Sequence, residues 1–420
     1  MVVGIFYLWQ IALIIALVVL ICLPVFLLLR RKINFLQVNI LLGVLSIVLA
    51  GFYGSQLVLF LVRLPSTASK TLIQPVIASE VNRPSPGEHP DIYYIILDGY
   101  GQADMLNNVY GYDNSAFIKS LEGLGFVVPG ASRSNYPYTV LSLNSSLNMQ
   151  YLDDLSAAVG DSNEWWLAKD TLDHNLVRAF LEQKGYRTVF IASGFDYTDF
   201  RDADEFIKPY PLMLNNFDSS FLRFTNLSGL GNMGHLIPYP SYSTYRQIIR
   251  AGFDALPPAA SEAGPKFVFA HITAPHPPFV FDQAGNPINP NYPFTLSDKM
   301  LEIMDIPTYK QSYVSELQYI NSETIKTITA ILANSPTPPV IILQGDHGPG
   351  LFLGKSAADT CMVERFSILN AYYLPGKNSD PVPQTITPVN TFRMIFNDYF
   401  STDFALLPDN IISALTSLWQ

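Results

Sequence analysis

The amino-acid sequence predicts an α/β domain with a mainly parallel, two-sided sheet, preceded by a two-helix transmembrane hairpin. Three observations carry this expectation. From Asp91 to Phe400, short apolar runs rich in β-branched and aromatic residues alternate with segments of helical periodicity, the pattern of strand and crossover helix. No internal repeat or low-complexity tract interrupts that alternation. Before Arg63 lie two long apolar stretches that contain no acidic residue.

Val2 to Leu29 and Ile33 to Val62 carry no charge at all, and each exceeds the ~20 residues that cross a bilayer as a helix. Arg30, Arg31 and Lys32 lie between them. A cleaved signal peptide has a charged start and a shorter apolar core, which Met1–Leu29 lacks. Residues 1–63 therefore read as a hairpin whose basic turn is cytoplasmic. The rest of the chain is then extracytoplasmic, with the protein in the cell membrane. Residues 64–90 are proline-punctuated and aperiodic, and read as a juxtamembrane linker.

The catalytic part is expected over 91–420. Asp91–Leu97 is a strand buried on both faces. Asn114–Leu124 is a helix with Phe117, Leu121 and Leu124 on one face and Gly125 as its stop. Phe126–Val128 restarts as a strand. Thr171 reads as the cap of a helix running to Lys184, before strands at Thr188–Ala192 and Lys266–Ile272. A long helix from about Thr308 to Asn334 places Tyr313, Leu317, Ile320, Ile328 and Ile331 on one stripe. Strands Val340–Leu343 and Ile368–Leu374 follow. The last helix, Pro388–Phe400, has Thr387 at its cap and proline in its first turn. Residues 196–264, rich in aromatics, Asn and Pro, break the rhythm and read as an insertion over the site face.

Composition excludes several classes. Twenty-five Lys and Arg against 35 Asp and Glu give a net charge of -10, which argues against nucleic acid as a partner. Two cysteines, Cys22 and Cys361, make neither a disulfide scaffold nor a cysteine zinc site. Chemistry in such a sheet belongs at the carboxyl ends of the strands. Three strand ends offer Asp98-Gly99, the histidines His271 and His276 of HITAPHPPF, and Asp346-His347 of QGDHG. Oxygen and imidazole donors of this kind suit a divalent zinc or manganese ion. Taken singly, Asp98 is as well read as a turn cap, and Asp-His-Gly as an ordinary turn. Thr139, at a helix start after Pro137, is either an N-cap or a hydroxyl facing an anion.

In this order, Asp98-Gly99, the Tyr-Pro-x-Thr-x-x-Ser stretch from Tyr136 to Ser142, HITAPHPPF and QGDHG resemble the sulfatase-like branch of the alkaline phosphatase superfamily. Within it the chain is similar to membrane-anchored phosphotransferases, the lipoteichoic acid synthases and lipid A phosphoethanolamine transferases. The resemblance implies an alkaline-phosphatase-like fold and one divalent ion, Mn or Zn, held by Asp98, Thr139, Asp346 and His347. It implies Thr139 as the phosphorylated nucleophile. His276 and His271 would bind phosphoryl oxygens or act as general acid and base. The implied substrate is a phosphodiester of an envelope lipid or glycan, with the membrane as partner.

The chain departs from that pattern in places. The transferases typically carry Glu where Asp98 stands, and the phosphoethanolamine transferases place a further histidine after the DHG segment that has no counterpart beyond His347. Lys355 and Arg365 are read either as phosphate clamps in its place or as solvated surface charges. The membrane part is a hairpin, where those transferases have five helices. Sulfatases of the formylglycine type use Cys or Ser in a Cys/Ser-x-Pro-x-Arg motif, which is missing here: Cys361 precedes Met362-Val363-Glu364, and Cys22 lies in the first apolar run. Phosphoryl chemistry is therefore expected ahead of sulfate-ester hydrolysis. Hydrolysis without transfer and a non-catalytic envelope scaffold are the alternatives.

Overall fold

A computed structural model describes residues 89–420 apart from 160–165, 209–240, 293, 299, 355–356, 378–380 and 413–420, with scattered helical positions between Ile40 and Ser55. The expected hairpin and linker otherwise lie outside the described residues. Among the described residues no helix is long and apolar enough to cross a membrane. The chain divides into two units, 1–71 with 219–239, and 72–218 with 240–420. Only the second is described at length.

Its centre is a six-stranded sheet. The strands are β1 (Ile92–Leu97), β2 (Arg187–Ile191), β3 (Glu205–Ile207), β4 (Lys266–Ile272), β5 (Val340–Gly345) and β6 (Asn370–Tyr373), in the order β3-β2-β4-β1-β5-β6. All neighbours are parallel except β5 and β6. The fold is thus mixed α/β, with a mostly parallel sheet flanked by helices.

Alternation along the strands feeds two cores. Tyr93, Ile95 and Leu97 of β1 point to one face, with Val268, Ala270, Ile341 and Leu343 beside them. The principal helices are α1 (Ser115–Gly123), α2 (Thr139–Asn148), α3 (Trp166–Asp173), α4 (Leu176–Gln183), α5 (Tyr242–Ala260), α6 (Ile306–Asn334) and α7 (Pro388–Phe400). Helices α5 and α6 cover the first face through Tyr245, Ile249, Phe253, Tyr313, Leu317 and Ile320. Ile92, Tyr94 and Ile96 point to the other face, covered by Leu143 and Leu147 of α2, Phe180 of α4 and Phe392 of α7. A strand buried on both faces cannot alternate polar with apolar, which is why β1 reads as one apolar run.

Several expectations shift in detail. The helix expected from Thr171 to Lys184 is two helices, α3 and α4. Asn175 caps the second, its side-chain oxygen accepting from the Arg178 backbone N–H at 2.9 Å, while Thr171 is buried and donates to Asn144 instead. Phe126–Val128 contributes a single bridge, Val127 with Tyr372. Thr387 precedes α7 without capping it, because its hydroxyl donates to Asp409 at 3.0 Å. Of residues 196–264, the described ends belong to the domain itself: β3 extends the sheet and α5 packs on its core.

Candidate metal and phosphoryl site

The carboxyl ends of β1, β4 and β5 are neighbours because β1 lies between the other two, with Leu97 level with Ile272 and Gly345. Asp98 and Asp346 follow directly. Gly99 turns the chain after β1 with φ 70°, the left-handed region that costs glycine least, and its N–H donates to Asp346 Oδ1 at 3.1 Å. The His347 N–H donates to the same oxygen at 2.9 Å. Asp346 Oδ2 is left buried without a hydrogen-bond partner, and so is Asp98 Oδ1.

The partners of His347 fix its protons. Nδ1 lies 2.9 Å from the Gly348 carbonyl oxygen, which can only accept, so Nδ1 carries the proton and Nε2 offers a lone pair. Nε2 is 3.4 Å from Asp346 Oδ2 and 3.6 Å from Asp98 Oδ1. Burial, then the Arg365 charge, push the His347 pKa down against the pull of Asp346, Asp98 and Asp298. Ligand atoms of Asp98, Asp346 and His347 all lie within 4.8 Å of one another. Two orphaned carboxylate oxygens facing a bare imidazole nitrogen are destabilising without a cation between them, so these residues fit a divalent ion.

Thr139 closes the group. It is the first residue of α2, and the cap position belongs to Tyr138, which makes no side-chain cap bond. The Thr139 hydroxyl instead meets His347 Nε2 at 3.2 Å. The Ser142 N–H returns to the Tyr138 carbonyl, so the N–H groups of the first turn before it have no intrahelical acceptor and form an anion-binding end. The helix is tied to the sheet by Tyr94, whose hydroxyl lies 2.7 Å from Ser146 Oγ, and by Leu143 and Leu147 in the core.

His276 stands on the outer side. Its Nδ1 lies 2.7 Å from the Pro277 carbonyl and its Nε2 3.1 Å from Asp298 Oδ1. Both partners accept, so both nitrogens donate and the ring is a cation. Burial opposes that charge, but the Asp98 and Asp298 carboxylates outweigh it and hold the pKa up at about 10. His271 is placed differently. Its side chain is 0% exposed and sits behind Asp98, with Nε2 3.3 Å from Asp98 Oδ2. Burial works against the Asp98 charge, yet His276, His271 and His347 together hold its pKa below the usual carboxylate range.

Arg365 is no surface charge. It is 1% exposed, and its guanidinium donates from Nε to the Pro137 carbonyl at 2.6 Å, from Nη1 to the Gly348 carbonyl at 3.2 Å, and from Nη2 to Asp298 Oδ2 at 3.3 Å. One side chain thereby ties the turn before Thr139 to the turn after His347. Burial disfavours its charge, but Asp298, Asp346 and Asp98 raise its pKa above the usual value. Lys355, the other expected clamp, lies outside the described residues. Asp298 went unnoticed in the sequence, where Leu296-Ser297-Asp298 in an aperiodic loop carries no motif.

The family model described as Sulfatase matches residues 90–392. The chain belongs to the sulfatase family. It is thus an enzyme of the sulfatase-like branch of the alkaline phosphatase superfamily, whose members are hydrolases or phosphotransferases, as the motifs imply. No curated protein matches this sulfatase-family chain in sequence. Similar solved structures include the zinc complex of the C-terminal periplasmic domain of EcEptC from Escherichia coli, 12% identical over 75% of this chain and 84% of that one, TM-score 0.46. The soluble domain of lipooligosaccharide phosphoethanolamine transferase A from Neisseria meningitidis is 12% identical over 76% and 90%, TM-score 0.47. The phosphonate monoester hydrolase of Agrobacterium radiobacter is 12% identical over 74% of both chains, TM-score 0.47.

Proposed function

We propose that this protein is a membrane-anchored, metal-dependent phosphodiester transferase or hydrolase that uses Thr139 as nucleophile on an envelope lipid or glycan. The observation that carries the reading is the Thr139 hydroxyl at the start of α2, 3.2 Å from His347 Nε2 and beside two orphaned carboxylate oxygens. Asp98, Thr139, Asp346 and His347 would hold one Mn or Zn ion. Such an ion supplies a lowered hydroxyl pKa and polarisation of a phosphoryl oxygen.

The remaining work falls to the protein's own groups. Thr139 Oγ1 attacks phosphorus in line and displaces one ester oxygen, and an acceptor alcohol or water later takes the phosphoryl group from the threonine. The first-turn N–H groups of α2 face the oxygens on which charge develops. His276 adds a fixed positive charge on the outer side, and Arg365 keeps the Thr139 and His347 turns in register. Residues 1–63 anchor the chain with Arg30-Arg31-Lys32 on the cytoplasmic side, which holds the site at the outer leaflet. A reporter fused after Pro90 that works only in the cytoplasm would overturn that topology.

The test is mass spectrometry of the purified full-length protein after incubation with Mn²⁺ and envelope phospholipids. A covalent phosphoryl adduct on Thr139 is expected. Thr139→Ala should abolish turnover while the protein stays folded, and Thr139→Ser should retain part of it. Near wild-type phosphodiester turnover by Thr139→Ala would refute the mechanism. Sulfate-ester hydrolysis is the second reading, favoured by the family the chain belongs to. A threonine at the nucleophile position ranks it below phosphoryl transfer.

A further inference from the structure

The turn that follows Asp98 is held from α6 by a single hydroxyl. Tyr313 is 0% exposed. Its hydroxyl donates to the Gly99 carbonyl at 2.9 Å and accepts from the Gly101 N–H at 3.2 Å. The partners fix both directions, because a carbonyl oxygen can only accept and a backbone N–H can only donate. The one phenolic hydrogen therefore points at Gly99. Packing against Tyr110 and Phe279 holds the ring itself in place.

The same turn meets the ion site on its other side. The Gly99 N–H donates to Asp346 Oδ1 at 3.1 Å, the oxygen that also takes the His347 N–H. Gly99 has φ 70°, a region that glycine enters and leaves at little cost. Nothing in the residue itself therefore fixes the planes of its two peptide groups. A Cβ on Gly345 would collide with the Tyr100 carbonyl oxygen, so the turn lies directly against the end of β5. Gly99 is thus gripped at both ends, its N–H by Asp346 and its carbonyl by Tyr313.

We infer that Tyr313 is a positioning residue for the ion site: its hydroxyl fixes the Gly99 turn, which holds Asp346 by Oδ1 and leaves Oδ2 alone for the ion. This rests on the metal-dependent reading above. Asp346 Oδ2 has no hydrogen-bond partner and lies 3.4 Å from His347 Nε2. Tyr313 is outside the donor set of Asp98, Asp346 and His347, so it acts through the turn and not on the ion. Partners behind metal ligands typically set affinity by about 10–100-fold. The low end applies here, because the His347 N–H still holds Oδ1 when Gly99 moves.

The experiment uses the full-length protein in detergent, with Mn²⁺ alone as the probe. Tyr313→Phe keeps the ring and removes the hydroxyl, and titration should show about 10-fold weaker Mn²⁺ binding. Hydrogen–deuterium exchange of the metal-free protein, read by mass spectrometry over 98–106, should be faster in that variant, since the Gly101 N–H loses its acceptor. Tyr186→Phe is the control for lost stability alone. It removes another buried hydroxyl, bonded to the Pro90 carbonyl at 2.7 Å at the opposite end of β1, and should keep wild-type Mn²⁺ affinity. Gly99→Ala strains the turn from its other side without touching α6, and should weaken binding by about 10-fold or more even if Tyr313→Phe does not fold. Wild-type Mn²⁺ affinity in either folded variant of the turn, or an equal loss in Tyr186→Phe, would overturn the inference alone. If the wild-type protein takes up no divalent ion, the metal-dependent reading falls and the inference falls with it.

Discussion

Replacing Arg365 with methionine keeps most of the side-chain volume and removes the one cation that joins three parts of the site. The guanidinium is buried at 1% exposure and donates to Pro137, Gly348 and Asp298. Breaking a buried ion pair from one side costs about 3–5 kcal/mol. Here the lower half of that range applies, since Asp298 keeps His276 as a partner and is 21% exposed at its side chain. Two carbonyls also lose their donor, and about 1–3 kcal/mol attaches to each that finds no water. A loss of about 4 kcal/mol in a domain of this size corresponds to a fall in Tm of about 6 °C. Arg365→Lys keeps the charge but not the fork, so about half of that loss is expected. Turnover should fall further than stability suggests, because Pro137 precedes Thr139 by two residues and a 1 Å displacement of a nucleophile costs about 100-fold.

The assay is thermal unfolding followed by circular dichroism, paired with phosphodiester turnover at a temperature where both proteins are folded. Burial raises the Asp298 pKa, but Arg365 and His276 lower it further, to well below the ordinary carboxylate range. A depressed carboxylate contributes stability above its unfolded pKa of about 3.9 and loses it only as pH falls through the folded value. The Tm difference between wild type and Arg365→Met should therefore be flat from pH 5.5 to 8 (about two units of margin above that pKa). A variant with wild-type Tm and turnover would refute the clamp, and a difference that disappears at pH 6 would refute its electrostatic basis.

Other substitutions test the rest of the site. Asp298→Asn leaves the buried Arg365 and His276 donors facing a neutral amide, so a loss of about 1–3 kcal/mol is expected by denaturant titration. In NMR titrations of that variant the His276 pKa should fall from about 10, and an unchanged value would show that Asp298 does not sustain the cation. Asp346→Asn keeps the acceptor for the Gly99 and His347 N–H groups but removes a ligand charge, so Mn²⁺ affinity should drop about 100-fold with little change in Tm. Gly348→Ala would place Cβ 1.9 Å from the Glu364 carbonyl oxygen, and a backbone atom cannot yield easily. About 3 kcal/mol of destabilisation with loss of turnover is expected, whereas a stable, active variant would mean that the DHG turn is free to move.

The sheet was legible because its strands are simple. Each of β1, β4 and β5 is an apolar run wholly buried on both faces, and such a run has few other ways to fold. The long helix α6 was legible from one stripe, Tyr313 to Ile331, that meets the core. Elements decided by a single side-chain bond were not. Whether Thr171 or Asn175 caps a helix depends on Asn144, which lies on α2 and takes the Thr171 hydroxyl at 2.8 Å. Thr387 is drawn off its helix by Asp409 in the same way. Local preference names both residues as caps, and a partner distant in sequence decides otherwise.

The site divides along the same line. Asp98, Asp346 and His347 follow strand ends, so topology alone brings them together, and Thr139 follows a Pro turn at a helix start. Arg365 and Asp298 have no such grammar. Arg365 belongs to the five-residue helix Met362–Phe366, where an arginine ordinarily meets water, and Asp298 lies in an irregular loop. Arg365 would not be buried without Asp298 beside it, since an unpaired charge in that position carries a large desolvation cost. Their pairing is a property of the folded loop pair and of nothing shorter. The consequence reaches the chemistry: with Asp98, Asp346 and Asp298 negative and His276 and Arg365 positive, the cluster carries one net negative charge. On the proposed reading, a divalent ion would reverse that sign to one positive, and the site would then complement a phosphodiester, which carries a single negative charge, better than a dianionic monoester. Replacing Asp298 with Asn would add one more positive charge and shift that preference towards monoesters, a change of substrate class readable by comparing kcat/KM for the two ester types.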